Sequence, residues 1–377
     1  MITIREVRSK RMLKDFVEVP NLLHQDDPFY VPQLTLERLD HLGRKNPYFK
    51  HAVHAFFIAY QDGRAAGRIC AQIDELAQQE NGPRLGHFGF IDAANENVLR
   101  NLLAQAETWL REHGAEKMVG PFSLTINDEI GVLIEGFDSP PRMMMNYAQT
   151  WTGKAIEQAG YQPAKDVLAF HISCDQDLPP AALRLAQKAE TYPGVVLRSL
   201  DKPRIAQDIG LLLDIFNDAW VNNWGFVPMT ADEVHHLAKN LKPLIVPDLV
   251  YFAELNGTAV AMIVALPDLN EALQGLGGRL LPFGWAKLLW RLKFSGLSGA
   301  RVLLMGVRQT VQQEFLGGAL AIAVIVKLHQ ALRANGYKDV ELSWILDDNK
   351  PMLRLAESIG AVPYKRYRMY EKDLASL

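Results

Sequence analysis

Residues 301–335 read RVLLMGVRQTVQQEFLGGALAIAVIVKLHQALRAN and are the most informative part of the sequence for the fold class. Arg301–Val307 is a short apolar run rich in branched side chains, which is typical of a buried strand. The turn region Arg308–Phe315 comes next. Leu316–Asn335 then has the length and composition of a long helix with glycines at its start. A strand, a turn and a helix in this order predict an α/β fold.

The junction between this strand and this helix is a candidate anion site. Gly317 and Gly318 stand at the start of the helix, where backbone N–H groups have no partner within the helix. The positive end of the helix dipole adds to the attraction of these groups for phosphate. The junction therefore predicts a binding site for a cofactor with a nucleotide tail.

The composition narrows the class of protein. The chain of 377 residues exceeds the size at which a single core usually stops growing, so two domains are expected. A formal net charge of −3 gives no indication of a nucleic-acid partner. The sequence contains no run of about 18 uninterrupted apolar residues, so no transmembrane helix is predicted. Cys70 and Cys174 are too few for a disulfide framework, which favours the cytoplasm.

The chain contains a weak internal repeat. Ala55–Asp74 and Leu249–Asp268 each have the pattern of two strands joined by a two-residue turn. The turns are Asp62-Gly63 in the first segment and Asn256-Gly257 in the second. Such dipeptides indicate hairpins because a type I′ turn needs positive φ at both positions.

A second pair of matching segments extends the repeat. Glu157–Lys165 and Glu357–Lys365 share Glu, Gly, Pro and Lys at the same spacing. Each half is predicted to run strand, helical segment, hairpin, strand, long helix, strand, short helix, strand. We therefore expect two domains, residues 1–175 and 195–377, joined by a polar linker at residues 176–194 that holds a short helix. Chance similarity is the alternative for any single pair.

The two halves differ at the strand-to-helix junction. The first half has no glycine-bearing turn after the strand Gly86–Ile91, and it carries an extra loop, Pro121–Pro141. The second half keeps the turn. We therefore expect cofactor binding in the second half, with the degenerate first half acting as a scaffold or as a wall of the acceptor site.

This element order resembles the GNAT acyltransferase fold, in which a loop of the pattern Gln/Arg-x-x-Gly-x-Gly/Ala holds the pyrophosphate of coenzyme A. The corresponding loop here begins at Gln312 and ends at Gly317, with Phe315 at the middle glycine position. The whole chain is more specifically similar to a two-domain GNAT family that includes bacterial ceramide synthases. The similarity rests on GPFSLTINDEIGVLIEGFD (120–138), FNDAWVNNWGFVP (216–228), LPDLNEA (266–272), ELSWILDDNKPM (341–352) and YKRYRMYEK (364–372).

The resemblance implies tandem GNAT-like domains with mixed central sheets flanked by helices. It also implies transfer of an acyl group, here a long-chain one, from a thioester of coenzyme A or acyl carrier protein to an amphipathic amine. A sphingoid base is the acceptor in the ceramide-forming members. The residues that would bind the coenzyme A thioester are Met305, Val307, Gln312, Gln313, Gly317, Gly318 and Asn349.

Three residues are catalytic candidates. In GNAT enzymes a backbone amide of the strand before the loop donates to the acyl carbonyl, which corresponds to Gly306 or its neighbours; a glycine that eases packing is the alternative. Asp348 is placed to accept the amine proton through water, although Asp and Asn before Pro351 are also typical of a helix cap. Glu341 is a candidate base if it faces the cleft. An acid tyrosine of many relatives is replaced by Ala356.

The acceptor site is predicted around amphipathic side chains, which suit a substrate with an apolar tail and a polar head. A buried aromatic cluster is the alternative. The substrate-binding candidates are Asn217, Trp220, Asn223, Trp224, Phe226 and Trp344.

No metal site is predicted, because His51 and His54 lack further ligands and no other spacing of histidines fits.

A basic and apolar segment, residues 272–313, lies within the second half of the chain. Residues 272–313 contain no acidic residue, and residues 284–294 form an amphipathic helical pattern with tryptophan. This pattern predicts peripheral contact with an anionic membrane through residues 279–294, at the cytoplasmic side of the inner membrane. A packing helix or a dimer contact are the alternatives.

For the whole chain, two other functions stay open: a non-catalytic lipid- or acyl-binding protein, and an aminoacyl-tRNA-dependent transferase.

Overall fold

The computed structural model describes residues 1–80, 82–241, 244–312 and 314–374. The chain forms two compact units, and each consists of segments that are distant in sequence. Unit 1 contains Met1–Val167, Ala272–Phe294 and the chain from Lys365 onwards. Unit 2 contains Leu168–Glu271 and Ser295–Tyr364. The chain thus enters and leaves each unit more than once, which differs from the continuous domains expected from the repeat.

Unit 1 is built on a mixed sheet. Its order is β1-β2-β3-β4-β5-β15, with β4 and β5 parallel and the other neighbours antiparallel. The strands are β1 (Ile2–Glu6), β2 (Ala52–Gln61), β3 (Arg64–Asp74), β4 (Leu85–Ala93), β5 (Lys117–Gly120), β6 (Phe122–Ser123), β7 (Glu129–Ile130) and β8 (Val132–Glu135), with β15 (Val362–Asp373). The helices are α1 (Lys10–Leu23), α2 (Thr35–His41), α3 (Glu96–Glu112), α4 (Thr152–Gln158) and α9 (Gly284–Trp290).

Unit 2 has the same plan. Its sheet order is β9-β14-β13-β12-β11-β10, with β13 and β14 parallel and the pairs from β10 to β13 antiparallel. The strands are β9 (Gln162–Ser173), β10 (Val195–Ser199), β11 (Val250–Leu255), β12 (Thr258–Pro267), β13 (Gly299–Val307) and β14 (Asp339–Leu346). The helices are α5 (Pro180–Glu190), α6 (Ile205–Trp220), α7 (Ala231–Leu241), α8 (Leu269–Leu273), α10 (Gln309–Gln312), α11 (Phe315–Ala334) and α12 (Lys350–Ser358).

The internal repeat is confirmed by the order of elements. Each half runs strand, helix, hairpin, strand, long helix, strand, short helix, strand. Both hairpin turns have the predicted backbone, with φ of 52° and 81° at Asp62-Gly63 and of 51° and 80° at Asn256-Gly257. These values are those of a type I′ turn, so the strand registers on either side are fixed by the turn residues.

The extra loop of the first half fills the space beside β4. Gly89 of β4 lies against the backbone of Phe122, where a Cβ would come within 1.8 Å of the Phe122 carbonyl oxygen. The side-chain amide of Gln72 donates to the carbonyls of Phe122 and Leu124, and all three residues are buried. Backbone of this loop therefore occupies the region where β4 and β5 end in unit 1.

Helix α11 is the central helix of unit 2. Thirteen of its residues are buried, and they include apolar side chains on nearly every side of the helix. The segment predicted as a linker forms α5, whose Ala182, Ala186 and Ala189 pack into the same core. By length and composition α11 would be able to span a bilayer, but 67% of the apolar window is buried inside the protein, which is typical of a core helix.

Candidate active site

A gap opens in the sheet of unit 2 between β13 and β14. The two parallel strands pair from Gly299 and Asp339 to Val302 and Leu342. Both strands continue beyond this point, and among the described residues no pairing joins residues 303–307 to residues 343–346. On its other edge β13 stays paired with β12 up to Val307. The carboxyl ends of β13 and β14 are thus separated, and this is the position where open α/β sheets bind ligands.

A cleft that is open to solvent occupies this gap. Its walls come from the ends of β13 and β14, the end of α6, the start of α11 and the first turns of α12. The structure brings together ten residues that the sequence singles out as site candidates: Trp220, Asn223, Met305, Gly306, Val307, Gln312, Gly317, Gly318, Trp344 and Asn349.

The turn before α11 has a tightly constrained backbone. The N–H groups of Val311 and Gln312 donate to the carbonyl of Arg308 at 3.1 and 3.0 Å. A Cβ on Gly317 would meet the Val311 carbonyl oxygen at 2.1 Å, so a larger residue does not fit here. The side chain of Asp218 on α6 accepts a hydrogen bond from the Gln309 N–H at 2.7 Å and fixes the turn to that helix.

The start of α11 is exposed and carries no side-chain cap. Its N-cap residue, Glu314, makes no side-chain cap hydrogen bond, and Gly318 in the first turn is exposed with no heavy atom within 4 Å of a Cβ position. Phe315 is 79% exposed and does not line the cleft. Its side chain therefore leaves the turn accessible. Gln313 lies outside the described residues.

Two tryptophans form the wall of the cleft. Trp220 and Trp344 are in edge-to-face contact, with ring centroids 5.6 Å apart. The Trp220 Nε1–H donates to the backbone carbonyl of Met305 at 3.0 Å, which fixes the indole against β13. Gly306 permits this close approach of α6, because a Cβ there would lie 3.1 Å from the Cβ of Ala219. Gly306 thus has a packing role, which was one of the two interpretations of the sequence.

The carboxylates of Asp347 and Asp348, which follow β14, do not line the cleft. Asp348 is exposed and does not line the cleft, and its backbone carbonyl accepts from the Lys350 N–H at 2.8 Å. The helix cap is Asn349, whose Oδ1 accepts from the Met352 N–H at 3.2 Å. The expected capping signal is therefore present, and Asn349 both caps α12 and lines the cleft.

Glu341 is enclosed in the core of unit 2. It is fully buried, and its carboxylate accepts hydrogen bonds from the hydroxyls of Ser343 and Tyr364. The guanidinium of Arg301, itself 3% exposed, lies 3.5 Å away and donates to the Ser343 hydroxyl at 2.8 Å. Glu341 does not line the cleft. Its contact with Arg301 joins β14 to β13 next to the point where the pairing of the two strands ends.

The remaining acceptor candidates lie outside the cleft. Phe226 packs on Phe216, with ring centroids 5.9 Å apart, in a separate apolar cluster of α6 with β11 and β12. Asn217 and Trp224 are half-buried and do not line the cleft. The interpretation of residues 216–228 as a buried aromatic cluster therefore holds for Phe226, and the interpretation as a cleft wall holds for Trp220 and Asn223.

Two carboxylates of the loop after β5, Asp128 and Glu129, are engaged with partners in unit 1. Glu129 is buried and accepts hydrogen bonds from Arg38 and from Gln33, the latter at 2.9 Å. Asp128 accepts from the Thr125 hydroxyl at 3.0 Å. These carboxylates stabilise the loop after β5.

The cysteines are poor nucleophiles. Both are free and buried. Burial raises the pKa of the Cys70 thiol well above its ordinary value, and burial together with the nearby carboxylates of Asp339 and Asp175 raises the pKa of Cys174 to about 11. Neither thiol ionises near neutral pH, and neither lines the cleft. Within the described residues no group of three or more His, Cys, Asp or Glu side chains is arranged to hold a metal ion.

Two relatives are similar to this chain over almost its whole length. Protein YghO from Escherichia coli strain K12 is 43% identical over 373 residues, which cover 98% of this chain and 95% of the relative. A bacterial ceramide synthase from Caulobacter vibrioides is 43% identical over 376 residues, which cover 99% of this chain and 98% of the relative. The chain belongs to the two-domain GNAT N-acyltransferase family that contains this bacterial ceramide synthase.

Solved structures confirm the tandem GNAT fold of this N-acyltransferase. A tandem GNAT protein from the clavulanic acid biosynthesis pathway has a TM-score of 0.59 at 12% identity and covers 100% of both chains. A GCN5-related N-acetyltransferase from Sphaerobacter thermophilus has a TM-score of 0.54 at 15% identity and covers 99% of this chain and 96% of its own. A scan against protein-family profiles finds no match.

Some cleft residues of the N-acyltransferase were missed by the sequence analysis. Met352 and Leu355 of α12 line the cleft beside the expected Asn349, and Ala219 and Ala321 bring α6 and α11 close to it. The spacing of Met352, Leu355 and Ala356 is an apolar stripe on one helix face, which is the signal that was available. Such a stripe also describes any core-facing helix, so it does not by itself indicate a ligand.

Proposed function

We propose that this N-acyltransferase moves a long-chain acyl group from a coenzyme A thioester to an amphipathic amine related to a sphingoid base. The proposal rests on the gap between β13 and β14, which ends at an exposed, glycine-bearing helix start. An extended thioester arm fits such a gap, and its phosphates suit the N–H groups and the dipole at the start of α11. The ceramide synthase relative supports the lipid-like acceptor.

The proposed transfer is direct. The amine nitrogen attacks the thioester carbonyl carbon, a C–N bond forms, the C–S bond breaks, and the thiolate leaves. The amine proton passes to water or to a carboxylate at the cleft margin, and it finally neutralises the thiolate. Both cysteine thiols are buried and protonated, which supports transfer without an acyl-cysteine intermediate.

The acceptor end of the proposed site lies at Trp220, Asn223 and Trp344. The two indoles offer apolar surface, whereas the Asn223 amide offers hydrogen bonds to a polar headgroup. A wall of this mixed character favours an amine that carries both an apolar tail and polar groups.

Asp348 is the proposed carboxylate at the cleft margin, because it directly precedes Asn349, which lines the cleft. We expect Asp348→Ala to lower kcat about tenfold or more, in the range of a positioned proton acceptor, with little change in KM for the donor. Steady-state kinetics over a pH series measures both constants, and Asp347→Ala is the matched control. Kinetics of Asp348→Ala that equal those of the wild type would remove Asp348 from the mechanism.

We also propose that residues 279–294 dock on an anionic membrane at the cytoplasmic side of the inner membrane. Arg291 donates to the carbonyls of Ala272 and Gln274 and so holds the two ends of the stretch 272–294 together. Beside it Arg279, Lys287 and Lys293 are exposed basic side chains. The exposed large apolar side chains of this segment are Leu281, Phe283, Trp285, Leu289, Trp290, Leu292 and Phe294. Cations beside exposed aromatic rings suit the interface of an anionic bilayer.

The membrane proposal predicts a large effect of removing the indoles. Trp285 is 50% and Trp290 58% exposed, and inserting each would contribute on the order of 1.5–3 kcal/mol. We expect Trp285→Ala/Trp290→Ala to reduce binding to phosphatidylglycerol vesicles at least tenfold in a sedimentation assay. Tyr192→Ala, at a comparably exposed ring in unit 2, is the control. Equal binding of the wild type to neutral and anionic vesicles would contradict the proposal.

The transfer itself is tested by product analysis. The protein is incubated with palmitoyl-CoA and sphinganine, and the products are identified by mass spectrometry. We expect an N-acyl amide and free coenzyme A in equal amounts. Binding of acyl-CoA without any amide, over a panel of amines, would support a non-catalytic acyl-binding protein. An amide formed only with aminoacyl-tRNA would support the alternative transferase.

A further inference from the structure

A second cavity, which we call the inner cavity, adjoins the cleft of unit 2. It lies between β13, β14, α11 and α12. Six residues, Trp220, Met305, Trp344, Ile345, Met352 and Leu355, line both this inner cavity and the cleft. The two spaces thus share one wall, in which Trp220 and Trp344 are in contact.

The walls of the inner cavity offer apolar contacts. Beyond the shared residues they consist of Val302, Leu303, Ile325, Leu342, Ala356 and Ile359, together with Ser343. Three wall residues carry an N–H or O–H side-chain group: Ser343, which is bonded to Glu341 and Arg301, Trp220, which donates to the Met305 carbonyl, and Trp344. The other wall side chains are apolar, so the cavity favours a hydrocarbon chain over a polar ligand, whose lost hydration it would compensate poorly.

We propose that the inner cavity binds the hydrocarbon chain of the acyl donor and that its depth sets the preferred chain length. The inference rests on the proposed function, because it takes the thioester to lie in the cleft. A chain that continues past Trp220 and Trp344 enters a space lined by Leu342, Ile345 and Leu355. Each methylene buried there raises the affinity about fourfold, so donors are discriminated by length until the chain reaches the end of the cavity.

Ala356 lines the inner cavity on its α12 side. It is 2% exposed and lines the inner cavity but not the cleft. The substitution Ala356→Leu adds three carbon atoms, which would occupy space that is otherwise open to the acyl chain. Leu342 of β14 also lines the inner cavity but not the cleft. Its replacement by alanine would enlarge the inner cavity. The two positions therefore permit opposite changes in depth.

The test measures binding and product formation over a series of acyl-CoA donors from two to eighteen carbons. We expect Ala356→Leu to lower the affinity and kcat/KM for the longest donors at least tenfold and to leave two- to four-carbon donors within threefold. Leu342→Ala is expected to move the optimum to longer chains. Ala361→Leu, at a buried alanine of unit 2 that lines neither space, controls for the effect of overpacking on the fold.

The readouts separate this inference from the proposed function. If chain-length selection in binding shifts in opposite directions in the two variants, the inner cavity is the chain site, whether or not an amide forms. If both variants are folded, as judged by circular dichroism, and retain the chain-length preference of the wild type, the inference is overturned. If the wild type forms amide with no dependence on chain length, the inference is overturned while the transferase function stands.

Discussion

Gly317→Ala is expected to lower kcat/KM at least a hundredfold and the free energy of unfolding by about 1–3 kcal/mol. The reason is the 2.1 Å approach of a Cβ to the Val311 carbonyl oxygen, which belongs to the backbone and cannot move independently. The turn would have to shift by a large part of an ångström. The first turn of α11 and the wall of the cleft would shift with it, and misplacement on that scale is costly for transfer.

The matched control is Gly210→Ala, at another helical glycine of unit 2. Gly210 lies in the interior of α6 and has no heavy atom within 4 Å of a Cβ position. Alanine is the better helix former by about 1 kcal/mol, so this variant is expected to be as stable as the wild type or more stable. Chemical denaturation and steady-state kinetics measure both variants. If Gly317→Ala behaves like Gly210→Ala, the turn is not constrained in the way described here.

Glu341→Leu is expected to destabilise the protein by about 3–5 kcal/mol. The substitution leaves the guanidinium of Arg301 buried without its carboxylate, and it removes the acceptor of the Ser343 and Tyr364 hydroxyls. Replacing both partners removes the buried charge as well as its counter-charge. We therefore expect the double variant Arg301→Met/Glu341→Leu to recover at least half of the lost stability.

Glu341→Gln distinguishes a structural role from a catalytic one. Glutamine keeps the shape and one acceptor oxygen but cannot take up a proton. A structural role predicts a loss of stability with kcat of the folded enzyme lowered less than tenfold. A role as the base predicts the reverse, namely a loss of two orders of magnitude or more in kcat with little change in stability. The enclosure of Glu341 away from the cleft favours the first result.

The fold could be predicted where the backbone itself imposes a residue type. Asn256-Gly257 indicated its hairpin because positive φ is required at both positions, and the structure has it. The strand and helix of residues 301–335 were predicted to within two residues at each end, since the strand is a short and the helix a long apolar run, each next to a polar turn. The turn before α11 was located from Gly317, and its tight contact with Val311 explains why glycine stands there; the binding of phosphate at this turn stays a prediction.

Features that depend on tertiary contacts could not be predicted from the sequence. Helix α5 was expected to be part of a polar linker, because its buried residues are small alanines between exposed polar ones. They cover a side of α11 that a two-layer arrangement would leave exposed. The enclosure of Glu341 likewise depends on Tyr364, a residue of a later strand. Local sequence patterns do not show which residues from distant parts of the chain come into contact.

We propose that the gap between β13 and β14 admits the arm of an acyl thioester. A crystal structure of the protein with a non-hydrolysable palmitoyl-CoA thioether would locate this arm. We predict that the arm lies between residues 303–307 and 343–346, with the phosphates at Gly317 and Gly318. A ligand bound elsewhere, with these strand ends unoccupied, would contradict the account.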